Sequence, residues 1–279
     1  MGIEKTTRLT AVLEAASELG LSAAENPFSD TDNRQYLYDE YGNIKAVIDP
    51  TGNINGLNSV KSEKRSADKS LAYECLKNAH IQCPQSQIFR GGEEFNALAT
   101  NLNLVILFAE KNGYPLIIKP NQASLSKGVR LVQNQNELID GIFQLLKGHQ
   151  DVIIQQYIPG PEFKIVLYRD EILFAYEKTS NGPIRPYSPG HAREIHKISP
   201  EIGRLLIEIA LALGLNYCSV DLRTSSLSVV DLSKTYVLEL NSHPGIKCLL
   251  DKKGPAFVQK LYKTLLMDVI SSFKIPSLY

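Results

Sequence analysis

Between residues 8 and 20 the apolar positions Leu9, Val12, Leu13, Ala16 and Leu19 recur at three- and four-residue intervals, which predicts a helix stopped at Gly20. The pattern then changes. Tyr36-Leu37-Tyr38 and Ile44-Lys45-Ala46-Val47-Ile48 flank Glu40-Tyr41-Gly42-Asn43, and the arrangement predicts a β-hairpin with turn residues at its tip. Residues 49–65 are rich in Gly, Asn, Ser and Lys and read as a linker. A helix is predicted over 66–80, with Ser66 as N-cap, and another over 95–111, ending before Gly113. Strand-like runs follow at Leu116-Ile117-Ile118 and Val129-Arg130-Leu131-Val132, then a helix at 137–147. Further β-rich runs cover 152–157, 163–168 and 172–176. A long helix is predicted over 200–213, capped by Ser199 and ended by Gly214. Three more strand-like runs, 217–222, 227–232 and 236–240, precede a last helix from Pro255 to Phe273. No internal repeat is evident. Several strands follow one another through short turns, so the fold class expected is α+β with mainly antiparallel sheets.

Composition narrows the classes without naming one. The 279 residues are 43% hydrophobic and 22% charged, enough to bury a core. Thirty basic residues balance thirty acidic ones, so the basic excess of a nucleic-acid binder is missing. The short cluster Lys61, Lys64, Arg65 reads as a solvated loop. Cys75, Cys83, Cys218 and Cys248 show no CxxC spacing and are expected as reduced thiols of a cytoplasmic protein. No signal peptide and no apolar run of about 20 residues appears, so no membrane partner is expected.

Three clusters carry candidate chemistry. In Tyr236-Val237-Leu238-Glu239-Leu240-Asn241-Ser242-His243-Pro244-Gly245, strand alternation puts Glu239 and Asn241 on one face. Asp221, in Ser219-Val220-Asp221-Leu222-Arg223, could add a third oxygen donor from a neighbouring strand. Such hard donors suit Mg²⁺; strand-end polar residues meeting solvent or an arginine are the other reading. Next, the apolar strand Leu116-Ile117-Ile118-Lys119 delivers one cation to a cleft edge. The small polar loop Asn121-Gln122-Ala123-Ser124-Leu125-Ser126-Lys127-Gly128 after it can offer backbone N–H groups to phosphates, although a Ser-rich hairpin turn would look similar. Third, Val152-Ile153-Ile154-Gln155-Gln156-Tyr157-Ile158-Pro159-Gly160-Pro161-Glu162 runs from an apolar strand into a connector able to face a purine edge, or simply into a turn at Gly160. The polar stretch 178–193 has the look of a functional loop. Lys178 and Arg193 are expected to reach a γ-phosphate or substrate; Arg185 belongs to the same polar stretch, and His191 and His196 read as surface residues.

The order and spacing of these clusters resemble the ATP-grasp superfamily over roughly residues 67–246, and within it carboxylate–amine ligases such as D-alanine–D-alanine ligase, glutathione synthetase and the ATP-grasp part of cyanophycin synthetase. Ala67-Asp68-Lys69, then Leu76 and His80-Ile81-Gln82-Cys83-Pro84, is similar to the family's entry motif. The resemblance implies that Lys69 and Lys119 contact ATP phosphates and that residues 124–128, with Ser124, Ser126, Lys127 and Gly128, form the phosphate-covering loop. It implies Gln155 at the adenine amino group, the backbone of Gln156 and Ile158 at the purine edge, and Glu162 at the ribose. Asp221, Glu239 and Asn241 would hold Mg²⁺ or Mn²⁺.

Departures from the pattern are visible. Gln155 stands where the family often has Glu, the phosphate loop keeps only Gly128, and Ser219 stands two before Asp221 where D-alanine–D-alanine ligases usually have Arg. That leaves the partner of an acyl phosphate unassigned. The implied fold has two α+β subdomains with mainly antiparallel sheets enclosing the nucleotide. The segments expected are 1–65 (N-terminal helix and hairpin), 66–157 (small subdomain) and 158–279 (large subdomain with the metal site). The implied activity joins a carboxylate, activated as its acyl phosphate, to an amine of an amino acid or peptide; a homodimer is allowed. An ATP-grasp kinase and a non-catalytic nucleotide-binding protein are the rival readings.

Overall fold

The computed structural model describes residues 2–25, 33–91, 95–123, 126–148, 151–179, 182, 184, 190–229 and 231–272. They form two compact units, one from the described residues of 1–59 and 243–279, the other from 60–242.

In the first unit, helix α1 (Gly2–Glu18) buries Val12, Ala15 and Ala16 and is followed by Gly20 at a φ of 75°. Strands β1 (Ser22–Glu25), β2 (Gln35–Tyr38) and β3 (Ile44–Ile48) form an antiparallel sheet in that order. The β2–β3 hairpin is the predicted one; β1 was not expected.

The hairpin tip and the turn that follows β3 form a short repeat. Asp39-Glu40-Tyr41-Gly42-Asn43-Ile44 and Asp49-Pro50-Thr51-Gly52-Asn53-Ile54 share the pattern D-x-x-G-N-I, and the two segments fold alike. Asp39 Oδ1 accepts from the N–H of Tyr41 (3.0 Å) and Asn43 (2.8 Å), and Asp49 Oδ1 from Thr51 (2.7 Å) and Asn53 (3.0 Å). Each Asn returns its amide to Oδ2 of its Asp, at 3.0 and 2.9 Å. The glycines sit at φ of 79° and 82°, where a side chain would be strained. The second turn packs directly on α1: a Cβ on Gly52 would lie 2.6 Å from Leu9 N. There Arg8 donates to Asn53 Oδ1 and, at 3.0 Å, to the Pro244 carbonyl.

The second unit opens with α2 (Val60–Ala67), inside the stretch expected to be linker, and α3 (Lys69–Asn78). The α3 N-cap is Asp68, which accepts from Leu71 N–H at 3.1 Å, not Ser66. Ser66 lies in the last turn of α2 and bonds back to Glu63 O at 3.0 Å. Next come β4 (Ser86–Arg90), α4 (Phe95–Asn112), β5 (Leu116–Pro120), β6 (Arg130–Val132), α5 (Gln135–Leu146) and β7 (Asp151–Gln156). The four strands pair antiparallel in the order β4-β7-β5-β6. Ile118, Leu116, Val152 and Ile154 on this sheet meet Val105 of α4 and Leu138 and Ile142 of α5 in one core.

The larger sheet uses β8 (Glu162–Tyr168), β9 (Glu171–Lys178), β10 (Ala192–Glu194), β11 (Tyr217–Arg223) and β12 (Tyr236–Asn241), in the order β10-β9-β8-β11-β12 and antiparallel throughout. Helix α6 (Pro200–Leu213) has the expected Ser199 cap and left-handed Gly214 stop. Ile202, Leu206 and Ile209 of α6 and Leu76 of α3 pack on Phe163, Ile165, Val220, Leu222, Val237 and Leu240 of the sheet. That leaves the opposite face, with residues 162, 164, 178, 219, 221, 223, 239 and 241, for other uses. Of the run 227–232, the described residues 227–229, 231 and 232 form no strand. Ser226 Oγ accepts from Ser228 N–H, Asp231 accepts from Ser233 N–H, and residues 232–234 make a 3₁₀ turn, so short polar side chains take the backbone donors that a ladder would need.

The last helix, α7 (Lys247–Ser272), breaks at Gly254 (φ 78°, ψ 171°) just before Pro255, which explains why its second half reads as a separate helix in the sequence. It packs in the first unit, with Lys263 Nζ 3.1 Å from Glu18 Oε2, whereas the sequence placed it with 158–279. Among the described residues no helix is long and apolar enough to cross a membrane.

Candidate functional site

A solvent-open cleft of about 740 Å³ lies within the second unit, lined from both of its sheets. Five of its lining residues are basic (Lys69, Lys119, Lys127, Lys178, Arg223) and three acidic (Glu162, Asp221, Glu239). Four of these cations, Lys69, Lys119, Lys178 and Arg223, are buried, against two buried carboxylates, Glu162 and Asp221, whereas Lys127 is exposed; such a surplus of buried cations is costly unless an anion belongs there.

Its deepest part is an ionic network on the open face of the larger sheet. Register explains it. Lys178 pairs with Glu162 across β9 and β8, Asp221 with Lys164 and Glu239 across β8 and β12, and Arg223 with Glu162. Directly opposed residues of an antiparallel pair share a face, so alternation on four strands brings these side chains together. Lys178 Nζ lies 2.5 Å from Glu162 Oε1 and 2.6 Å from Asp221 Oδ2. Arg223 donates to Glu162 Oε2 and, at 2.7 Å, to the Ile158 carbonyl. Lys164 Nζ approaches Asp221 Oδ1 to 2.8 Å, but that oxygen receives no aligned hydrogen bond, so the contact is ionic. Burial pushes the Asp221 carboxyl up, yet Lys164 and Lys178 overcome it and hold the group below its usual range. For Lys178, burial pulls down, and Asp221 and Glu162 together raise the ammonium above its ordinary value.

The smaller sheet and α3 supply the other cations. Lys119, from β5, donates to Tyr73 Oη at 2.8 Å and Gln155 Oε1 at 3.0 Å. Tyr73 Oη in turn donates to the Leu238 carbonyl at 2.7 Å. Lys69, the first residue of α3, reaches Ala123 O at 2.8 Å and Asn121 O at 3.2 Å and stands 3.9 Å from Glu239 Oε1. Burial depresses both ammonium groups, and Glu239 partly offsets it in each. A lysine shifted in this way gains from a new anionic partner.

The expected residues divide as follows. Lys69, Lys119, Ser126, Lys127, Gln155, Gln156, Ile158, Glu162, Lys178, Asp221 and Glu239 line the cleft. Asn241 projects from the same face as Glu239, opposite Ser219. Gly128 does not line it: a Cβ there would press on Pro120 and Leu145 at 3.0 Å, so the glycine closes the loop against the sheet. Ser124 and Arg185 lie outside the described residues. Arg193 does not line the cleft. Ala192 opposes Lys178, so Arg193 turns to the other sheet face, where it pairs with Glu177 and is largely exposed.

Two of these residues have part of their hydrogen-bonding capacity already engaged. The Gln155 oxygen is taken by Lys119, and its buried Nε2 has no acceptor among the described residues, so what it offers a ligand is an N–H donor. In the connector, Gln156 N–H is committed to Gln85 O (2.9 Å) and Ile158 O to Arg223, which leaves Ile158 N–H as a donor for a base edge.

Sequence reasoning gave no role to Arg223, Lys164 or Tyr73. Two-residue alternation could have found the first two: Arg223 follows Asp221 by two, and Lys164 follows Glu162 by two.

Asp221, Glu239 and Asn241 fit a hard divalent cation by chemistry, being oxygen donors on one face. Among the described residues no three His, Cys, Asp or Glu converge on one point, so the set depends on the Asn241 amide.

The family model for the RimK-like ATP-grasp domain matches residues 66–264. D-alanine–D-alanine ligase A of Bacillus cereus is 24% identical over 249 residues, covering 85% of this chain and 78% of that protein. A probable alpha-L-glutamate ligase 2 of Hahella chejuensis is 24% identical over 228 residues, covering 78% and 69%. Among solved structures, D-alanine–D-alanine ligase from Bacillus anthracis complexed with ATP matches with a TM-score of 0.56 at 21% identity, covering 77% of this chain and 68% of that one. The ATP-grasp ligase PsnB complexed with minimal precursor matches at 0.54 and 18%, covering 76% and 63%. At such identities the structural likeness establishes the fold.

Proposed function

The chain belongs to the RimK-like ATP-grasp domain family, and on that premise we propose that it binds magnesium-ATP in this cleft and joins a carboxylate to an amine of an amino acid or peptide. The observation that carries the reading is the concentration of buried cations around the Asp221–Glu239 pair. A polyphosphate with its divalent ion supplies the charge that this arrangement calls for. The relatives' names add the reaction class, since both D-alanine–D-alanine ligase and alpha-L-glutamate ligase form amide bonds.

In this assignment Lys69 and Lys119 hold phosphate oxygens, and Ser126 and Lys127 belong to the loop that covers them. The Ile158 N–H and Gln155 Nε2 meet ring nitrogens of the purine. Glu162, already held by Lys178 and Arg223, accepts ribose hydroxyls on its remaining lone pairs. Asp221, Glu239 and Asn241 would hold Mg²⁺ or Mn²⁺, which neutralises triphosphate charge when bound. The substrate carboxylate attacks the γ-phosphoryl group and ADP leaves with its electron pair. The amine then attacks the acyl carbon of the acyl phosphate, inorganic phosphate departs, and the amine proton passes to solvent or base. Lys178 faces the transferring group as a fixed cation, so its charge is in place before the reaction begins. Exclusion of water from the closed cleft protects the acyl phosphate.

The test is a thermal melt of the full chain with ATP, with and without Mg²⁺, then an ADP-release screen over amino acids, dipeptides and small carboxylates with mass spectrometry of products. A melting rise with magnesium-ATP is expected, and a product with the summed mass of the acid and the amine less one water. No rise at millimolar nucleotide ends the nucleotide assignment, and a phosphorylated product without amide formation replaces the ligase by a kinase.

A further inference from the structure

We propose that Lys164 is a displaceable counter-ion that closes the Asp221–Glu239–Asn241 donor set to free divalent cations, so that this chain accepts the metal only as a metal–nucleotide complex. The inference rests on the functional reading above and adds an order of assembly to it.

The two oxygens of Asp221 are held differently. Oδ2 accepts a hydrogen bond from Lys178, an ammonium buried between two carboxylates at 2.5 and 2.6 Å. Removing that lysine would leave two buried anions short of a partner, so it is fixed. Oδ1 meets Lys164 at 2.8 Å without an aligned hydrogen bond, and the second contact of Lys164, Ser219 Oγ, is at 3.5 Å, the limit of a hydrogen bond. The Lys164 side chain is about twice as exposed as that of Lys178, 17% against 8%, and pairs with one carboxylate instead of two. Of the two ammonium groups on Asp221, Lys164 is therefore the one whose departure breaks one ion pair instead of two and leaves Asp221 still paired with Lys178.

A bare hydrated dication approaching Asp221 meets a carboxylate already paired with two ammonium groups, Lys164 and the Lys178 it shares with Glu162. Two like charges sit within 3 Å of the oxygens it must bind, and Lys69 stands beside Glu239 as well. Loss of hydration water would have to be recovered against that repulsion. A polyphosphate reverses the sign of the local field. It brings enough negative charge to hold the metal and gives the released Lys164 ammonium an anion to face. The metal and the nucleotide then enter together. Lys164 also lies on the face of Ser219, where the sequence offered no cation for an acyl phosphate, so the freed ammonium stays on the side of the reaction.

Mn²⁺ titrated into the full chain, followed by the electron paramagnetic resonance signal of the free ion, tests this with and without ADP. The wild type should take up Mn²⁺ readily with ADP and poorly without it. Lys164→Met should bind free Mn²⁺ at least about tenfold more tightly than the wild type, the scale expected when one unit charge close to the ion is removed at an effective dielectric near 20. Lys164→Arg, which keeps the charge, should behave as the wild type. Thermal melts accompany each variant, and Lys164→Gln serves as a second neutral replacement if the methionine variant does not fold. Equal affinity of wild type and neutral variants for free Mn²⁺ overturns the proposal. So does failure of every variant to bind free Mn²⁺ while the wild type binds Mn²⁺ with ADP, because Lys164 is then not the block. A wild type that takes up no Mn²⁺ even with ADP overturns the functional reading itself and the proposal with it.

Discussion

Lys178→Met tests the network where its consequences are largest. The substitution keeps an unbranched side chain of similar length and removes only the ammonium. The three side chains concerned are 8% (Lys178), 9% (Glu162) and 5% (Asp221) exposed, so solvent can do little to replace it. Removing one partner of a buried ion pair typically costs 3–5 kcal/mol, because the other charge stays behind. Here the two carboxylates keep one cation each, Arg223 on Glu162 and Lys164 on Asp221, so a loss near the lower end, about 3 kcal/mol, is expected.

Urea denaturation at neutral pH measures it, with an unchanged slope and a lower midpoint. The pH dependence supplies a second check. The folded-state value of Asp221 is depressed, so its contribution is complete above the unfolded value of about 3.9 and is lost as pH falls through the lower folded value. The folded-state value of Lys178 is raised, so its contribution is complete below about 10.4 and is lost as pH rises through the higher folded value. The gap between wild type and variant should therefore be widest across the neutral range and close toward both extremes. A loss below about 1 kcal/mol, the size of an exposed pair, or a gap that does not change with pH, refutes the account of a desolvated network.

Two further outcomes follow from named contacts. Glu239→Gln keeps shape and removes the one charge facing Asp221 across the strand pair; ADP release should fall on the order of a hundredfold or more, as when a main electrostatic stabiliser is lost, while the melting temperature stays close to wild type, and near-normal turnover would discard Glu239 as a ligand. Gly141→Ala should destabilise by about 1–2 kcal/mol in urea, because the new Cβ would lie 2.3 Å from Cδ1 of the fully buried Ile118, and the overpacking outweighs the gain in helix propensity; a stabilised variant would show that Ile118 has room to turn.

Much of this was legible from local signals. Glu239 and Asn241 share a face because strands alternate, and Ser199 and Gly214 bracket a helix because their chemistry suits its ends. What failed needed long-range register. Arg193 and Lys178 are fifteen residues apart, and whether they share a face depends on Ala192 falling opposite Lys178 after an intervening loop; nothing local sets that phase. Strands β4 and β10 take their identity from the neighbours they pair with, β7 and β9, while their own residues carry only weak patterns. Ser66 and Asp68 are both good caps, and the helix begins at Lys69 because α2 already occupies the residues before it. The paired Asp–Asn turns were missed because a ten-residue spacing is shorter than the periods of common repeat folds.

The break at Gly254 and the return of α7 to α1 make the first unit discontinuous: the described residues of 1–59 pack with 243–272, and the 60–242 unit is inserted between them. This sets a sequence of events during synthesis on the ribosome. Val12, Ala15 and Ala16 of α1 emerge early, but their packing partners on α7 appear only after the whole inserted unit has been made. At about 5–20 residues per second this is a delay of roughly 10–40 s. In that interval the 60–242 unit already has all of its strands and can form its own sheets, while the N-terminal segment waits as a three-stranded sheet and a helix whose apolar face is still without α7. The nucleotide cleft is therefore ready before the unit that frames it in sequence, and the nascent N-terminal segment is the part of this chain most open to proteases and chaperones.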